Sequence, residues 1–157
     1  MKPVFGLTMI ITILLSCHSE GNKQTATASQ TVSVEGTWRL VSGTAIAKND
    51  TTFTDYTKNQ KMIKIINATH FSFIRHDLGG GKDSTTAVYE SGGGKYTLTG
   101  NQYTEHLEYC SAREWEGHDF HFTVSVLNDT LIQQGVEKVE GAGIDRVITE
   151  KYASVKD

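Results

Sequence analysis

The sequence predicts an all-β domain, folded as an antiparallel up-and-down β-barrel of about eight or nine strands. Short runs of β-prone residues recur along the chain, and turns rich in Gly and Asn separate them. No long stretch repeats its apolar residues with the period of a helix. The one proline, Pro3, lies near the start and interrupts none of these runs. Many short strands at near-regular spacing are typical of a sandwich or a barrel.

The first residues form a segment of a different kind. Lys2 supplies one positive charge, and a short apolar stretch follows over residues 4–15. It ends in Leu14-Leu15-Ser16-Cys17, which resembles the lipobox of bacterial lipoproteins. The resemblance implies a signal peptide of residues 1–16, cleavage before Cys17, and lipidation of Cys17 as a membrane anchor. An ordinary secretory signal with an incidental cysteine, or an uncleaved N-terminal anchor, is the alternative.

Residues 17–32 follow as a flexible tether. They are mostly Ser, Thr, Gln, Gly, Asn and Ala, a composition that cannot bury a core. Residues 33–157 are then long enough for one domain with a core of its own. His18 is not the Asp that retains many lipoproteins in the inner membrane, so we expect the protein in the cell envelope, at the outer membrane. Whether it faces the periplasm or the cell surface stays open.

Nine runs are candidate strands, because turn residues bound each of them. In chain order they are residues 37–47, 61–66, 69–76, 86–90, 95–99, 102–109, 120–127, 130–134 and 144–152. Residues 48–60 lack alternation and are expected to form a loop or a short helix covering one end of the barrel. The glycine runs 79–81 and 92–94 match no phosphate-binding spacing, and they are expected at flexible or positive-φ loop tips.

Two tight turns predict the register of the later strands. Gly100-Asn101 and Asn128-Asp129 each separate two alternating runs, which is typical of two-residue hairpins. The first turn places Tyr96 opposite Glu105. The loop over residues 110–117 is longer and sets no register by itself.

Matching the polarity of the two strands across that longer loop completes the arrangement. It places Leu107 near Phe120 and His106 near His121. Two histidines need a third ligand to hold a metal ion, and a solvated pair is the more common case, so no metal site is expected.

Side chains alternate between the faces of a strand, and paired residues share a face. The three hairpins therefore define one face that is apolar and aromatic, which we expect inside the barrel, and one that is polar. The expected interior face contains Tyr96, Leu98, Tyr103, Glu105, Leu107, Tyr109, Phe120, Phe122, Val124, Val126, Leu131 and Gln133. The hairpin at Asn67-Ala68 has apolar residues on both faces, so it receives no assigned inside.

Two motifs suggest a family. Gly36-Thr37-Trp38 at the first strand resembles the lipocalin signature, and the run from Tyr103 to Tyr109 resembles lipocalin-like lipoproteins of Bacteroidetes-type bacteria. The two resemblances together span residues 34–152. They imply a barrel with Trp38 across its closed end and an Arg of the last strand lying over the ring. Arg146 is the matching arginine.

Glu105 is the most informative polar residue, because it falls on the expected interior face. A buried carboxylate must be paired, hydrogen-bonded or protonated. The first hypothesis is that it orients a small apolar or amphipathic ligand inside a hollow barrel. The expected ligand-binding residues are Tyr96, Tyr103, Glu105, Tyr109, Phe120, Phe122 and Gln133. Alternatively, Glu105 reaches water at a barrel mouth or is satisfied by a tyrosine hydroxyl.

The second hypothesis is a filled barrel, in which aromatic residues form ordinary core and the loops over residues 48–60 and 110–117 contact an envelope partner. Eight strands allow either a filled interior or room for one small ligand. An enzyme using Glu105 as acid or base is the least favoured hypothesis, since no catalytic motif occurs. No cofactor is expected. The formal charge of −3 without a basic stripe argues against nucleic acid.

Overall fold

The computed structural model describes Met1 and residues 32–156 of the chain. Cys17 lies outside the described residues, as do almost all of the predicted signal peptide (residues 1–16) and tether (residues 17–32). In the part of the chain that is described, no helix has both the length and the apolar character needed to cross a membrane.

The described chain forms nine β-strands and two short 3₁₀ helices. The strands are β1 (Gly36–Ala47), β2 (Asp50–Asp55), β3 (Gln60–Ile66), β4 (His70–Asp77), β5 (Tyr89–Thr99), β6 (Gln102–Cys110), β7 (His118–Leu127), β8 (Thr130–Val139) and β9 (Ile144–Ser154). The 3₁₀ helices, Arg113–Trp115 and Glu140–Ala142, lie in the loops before β7 and β9.

Eight of the strands close into an antiparallel barrel. Strands β3 to β9 pair in sequence order, and β1 closes the ring by pairing with β3 on one side and with β9 on the other. Strand β2 pairs with the second half of β1 and extends the sheet beside the ring. The predicted all-β class and antiparallel up-and-down barrel are confirmed, and the architecture is compatible with the lipocalin-like resemblance.

Strand β2 corrects the prediction for residues 48–60, which were expected as a loop or short helix. Lys48 and Asn49 have positive φ angles of 49° and 72° and form a tight turn between β1 and β2. Most of β2 is exposed on both faces. A strand that buries neither face does not need to alternate apolar and polar residues, so the sequence of β2 does not indicate a strand.

The glycine run 92–94 also differs from prediction. Residues 86–90 and 95–99 were expected as two strands around a loop tip, but β5 continues through the glycines. A Cβ on Gly93 would lie 2.6 Å from the carbonyl oxygen of Phe71, and one on Gly94 would overlap the carbonyl oxygen of His106. These glycines are therefore required by close backbone approach rather than by turn geometry. In the other run, Gly80 and Gly81 do have positive φ, as a loop tip requires.

The tight-turn registers are confirmed, including the pairing of Tyr96 with Glu105. The register across the longer loop is wrong by two residues, because Phe120 pairs with Glu105 rather than lying near Leu107. Polarity matching distinguishes odd from even offsets and cannot distinguish offsets that differ by two. The assigned faces survive this shift, since the side-chain period along a strand is two.

One part of the barrel interior is packed solid with apolar side chains. We call it the filled part: Val34, Trp38, Leu40, Ile66, Phe71, Tyr103, Val124 and Leu131, each at most 5% exposed. Trp38 lies in it, and its Nε1 donates a hydrogen bond of 2.8 Å to the carbonyl oxygen of Val34. This bond satisfies the indole donor away from water.

Candidate binding cavity

The rest of the barrel interior encloses a cavity of about 320 Å³. Strands β3 to β9 and two loops contribute to its wall. Its aromatic residues are Tyr56, Phe73, Trp115, Phe120, Phe122 and Tyr152, and its charged residues are Lys64, Arg75, Glu90, Glu105, Glu137, Arg146 and Glu150. Met62, Leu107, Cys110, Ser111, Ala112 and Gln133 complete the lining. The cavity thus combines aromatic rings with an unusual number of ionisable groups.

Four of the residues expected to bind a ligand line this cavity: Glu105, Phe120, Phe122 and Gln133. Tyr103 belongs to the filled part instead and is 1% exposed. Tyr96 packs against Tyr103, with ring centroids 5.2 Å apart, and donates its hydroxyl proton to the carbonyl oxygen of Asn67. Neither Tyr96 nor Tyr103 lines the cavity.

The position of Tyr109 differs from the prediction. It was expected inside, but it is 67% exposed on the outer surface. The cause is a β-bulge, since Gly93 pairs with Tyr109 while Gly94 pairs with Leu107, which leaves Glu108 without a partner in β5. An extra residue in one strand exchanges the faces of all residues beyond it. Cys110 therefore points inward and lines the cavity in place of Tyr109.

A buried ion pair forms the floor of the cavity. Lys64 Nζ donates to Glu105 Oε1 at 2.7 Å and to Gln133 Oε1 at 3.0 Å. The Lys64 side chain is 3% exposed and that of Glu105 is 8% exposed. The ammonium also lies over the rings of Phe71 and Tyr152, at 5.7 and 5.4 Å from their centroids. Three strands thus place polar side chains at one buried point.

Burial controls the electrostatics of this floor. Loss of solvent raises the pKa of the Glu105 carboxyl, while the Lys64 ammonium acts in the opposite direction. Burial and the Glu105 carboxylate together raise the pKa of Tyr103. The Tyr103 hydroxyl makes no hydrogen bond with any described residue. The Glu105 carboxyl has therefore lost most of its contact with water.

Sequence reasoning missed Lys64, although a signal was present. Met62, Lys64 and Ile66 alternate in β3, and all three are buried. The same strand also carries exposed or half-buried isoleucines on its other face, so both faces looked apolar. Lysine is rarely buried unless it is paired, and its partner Glu105 lies 41 residues further along the chain.

Arg146 is placed differently from the family expectation. It does not lie over Trp38, because β1 and β9 pair Trp38 with Ser154, eight positions beyond Arg146. Instead, its guanidinium lies 5.9 Å from the Trp115 ring centroid and pairs with Glu137 at 2.6 Å. Burial raises the pKa of Glu137, and Arg146 opposes this shift. Arg146 therefore helps to build the cavity wall.

A second arginine, on β4, makes a similar arrangement. Arg75 pairs with Glu90 at 3.1 Å, and its guanidinium lies 5.4 Å from the Tyr56 ring centroid. The Tyr56 ring covers Gly43, where an added Cβ would lie 3.0 Å from it. Each arginine thus holds one loop aromatic and one carboxylate, with attraction from the ring face as well as from the charge.

The histidines do not assemble a metal site. His106 pairs with Asp119 at 2.7 Å, and His121 lies beside Thr104 rather than beside His106. Within residues 32–156, no three His, Cys, Asp or Glu side chains are close enough together to hold a metal ion.

No protein-family model and no curated protein matches the chain. The lipocalin-like description therefore depends on the residues quoted above and on the closed eight-stranded barrel. What the chain can do must be argued from the cavity itself.

Proposed function

We propose that this protein binds one small amphipathic ligand inside its barrel. The observation that supports the proposal is a cavity of about 320 Å³ whose wall joins aromatic rings to buried polar groups. Ligand sites are mostly apolar clefts of about 300–1,000 Å³ with a few precisely placed polar groups. The cavity lies at the small end of that range, so it suits a small molecule better than a long acyl chain.

The floor offers polar atoms that the protein itself does not use. Lys64 engages Oε1 of Glu105 and Oε1 of Gln133. Glu105 Oε2 and the Gln133 amide nitrogen make no hydrogen bond with any described residue, and both side chains line the cavity. Phe120 and Phe122 stand beside them on β7. A ligand would place its polar group on the floor and its apolar body against the rings.

The filled-barrel hypothesis is less well supported. It requires the aromatic residues to pack without a hollow between them, and this holds in the filled part alone. One of its proposed contact loops, residues 48–60, is largely the strand β2.

We propose binding rather than catalysis. The sequence contains no catalytic motif, and Glu105, the favoured acid or base, is already paired with Lys64. A carboxylate held by a buried ammonium is better suited to orienting a ligand than to exchanging protons with one.

We also propose that a lipid on Cys17 anchors the domain in the cell envelope, at the outer membrane of a bacterium. The support is the lipobox-like Leu14-Leu15-Ser16-Cys17. Cys17→Ser should move the protein from the membrane fraction to the soluble fraction, whereas Cys110→Ser should leave it on the membrane. Equal membrane association of both variants would contradict the anchor.

Native mass spectrometry of the gently purified full chain tests ligand binding. We expect an additional mass of a small organic molecule in the wild-type protein. Cys110→Trp should remove this mass, because the new ring would occupy the cavity. Tyr109→Trp is the matched control, since the adjacent side chain points to solvent.

Spectra of the wild-type protein that are repeatedly empty would contradict the proposal. So would a mass that Cys110→Trp retains, because the molecule would then be bound elsewhere on the protein.

A further inference from the structure

The charges that line the cavity do not balance. There are three cations, Lys64, Arg75 and Arg146, and four carboxylates, Glu90, Glu105, Glu137 and Glu150. Each cation already pairs with one carboxylate, at 2.7, 3.1 and 2.6 Å respectively. The carboxylate that is left over is Glu150.

Glu150 lies on β9 between Gln133 of β8 and Gly43 of β1. Its hydrogen-bond partner among the described residues is the Tyr152 hydroxyl, which donates to Oε2 at 2.6 Å. Burial raises the pKa of Tyr152, which keeps this hydroxyl a donor. In residues 32–156 no cationic side chain forms an ion pair with Glu150. Glu150 is half-buried in the cavity wall, so its carboxylate has given up part of its hydration without gaining a cation.

Glu105 supplies a second acceptor in the same cavity lining as Glu150. The side chain of Glu105 is only 8% exposed. It lines the cavity, and its Oε2 accepts no hydrogen bond from a described residue. Lys64 joins Glu105 to Gln133, and Gln133 is the strand neighbour of Glu150. Burial is the main cause of the raised pKa of Glu105, and the charge of Glu150 adds to it. Both carboxylates line the cavity. The two acceptors therefore face the same space.

We infer that the ligand is a small organic cation, with an ammonium group bound between Glu150 and Glu105 and a flat apolar body against the cavity's aromatic rings. This inference rests on the proposed function and specifies its ligand. The lining carries one more carboxylate than cations, so a cationic ligand supplies the missing partner, whereas an anionic ligand would add to the excess of negative charge. An organic cation fits better than a metal ion, since the described residues provide no cluster of three metal ligands.

The ring wall is suited to such a molecule. Tyr56 covers Gly43, the β1 neighbour of Glu150, so an aromatic ring stands next to the free carboxylate. Phe120 is the β7 neighbour of Glu105. Aromatic faces attract cations as well as apolar surfaces.

Three probes with one phenyl body test the charge preference: 2-phenylethylamine, 2-phenylethanol and 3-phenylpropionate. Titration calorimetry on the full chain should show the amine binding at least about tenfold more tightly than either other probe, as a charge-assisted contact implies. Glu150→Gln should remove this preference while retaining the hydrogen bond from Tyr152. Glu108→Gln, which removes the same charge on the exposed outer surface, should leave the preference unchanged.

Equal or tighter binding of the alcohol or the carboxylate would overturn the inference and leave the proposed function intact. A preference for the amine that Glu150→Gln retains would also overturn it. If none of the three probes binds, the inference fails, and native mass spectrometry decides separately whether any ligand is bound. Should Glu150→Gln not fold, the ranking of the probes on the wild-type protein still decides.

Discussion

The two parts of the barrel interior are built from the same strands by different means. Strand β6 shows the contrast most directly, because Tyr103 belongs to the filled part and Glu105, two residues later on the same face, belongs to the cavity floor. The filled part is held by apolar packing, whereas the cavity is held by ion pairs and by arginines that lie over aromatic rings. The filled part thus provides stability, and the cavity leaves the space in which we propose that a ligand binds.

The largest expected effect lies in the filled part. Trp38→Ala should lower the free energy of unfolding by about 3–5 kcal/mol, because it leaves a cavity in solid packing and removes the contact with Val34. Trp115→Ala, at the cavity wall, should cost clearly less, since Trp115 is only half-buried. Denaturant unfolding of the two variants measures both costs. Equal losses of unfolding free energy would show that the filled part and the cavity wall contribute equally to stability.

The ion pair at the cavity floor should give the next largest effect. Glu105→Leu should cost about 3 kcal/mol, because it leaves the buried Lys64 ammonium with Gln133 as its remaining hydrogen-bond acceptor. Adding Lys64→Met should recover most of this loss, since an apolar pair then replaces a buried charge. A double-mutant cycle by denaturant unfolding measures the coupling. Strictly additive losses would show that the two side chains do not act as a pair.

A smaller effect should appear in the pH dependence of stability. The folded-state pKa values of Glu105 and Glu137 are raised above 4.5, mainly by burial. The folded protein then holds protons more strongly than the unfolded chain, so stability falls as pH rises from 4.5 through the raised values. Glu137→Gln should flatten this fall, and the comparison of Tm against pH for the two proteins measures it.

Glu108→Gln is the control for this experiment, because Glu108 is exposed outside the barrel. Its Tm profile should follow that of the wild-type protein. A Glu137→Gln profile as steep as the wild-type one would mean that Glu137 does not contribute to the fall in stability.

Much of the β architecture follows from local patterns. The two-residue turn at Asn128-Asp129 has positive φ at both residues, 48° and 60°, as a type I′ hairpin requires. With the turn at Gly100-Asn101, it predicts the strand pairings beside it. Glu105 is correctly assigned to the interior, because its face follows from its distance to the turn.

Features that depend on distant or unpatterned residues could not be predicted in this way. The bulge at Glu108 turned Tyr109 outward, and nothing in the alternation of β6 marks it. The strands β8 and β9 extend further than expected, so Glu137 was not recognised as a continuation of the face that carries Gln133. Arg146 was matched to the wrong tryptophan, since the register of β9 against β1 is set by closure of the ring.

By itself, the sequence determined that the chain forms antiparallel strands, where its tight hairpins turn, and that a carboxylate enters the interior. These properties depend on neighbours a few residues apart, and turn chemistry and a period of two encode them locally. Only the tertiary structure decided that the interior is part solid and part hollow, and that Lys64 meets Glu105 while Glu150 has no cationic partner among the described residues. Those properties depend on which strands meet when the ring closes, and no short stretch of sequence contains that information.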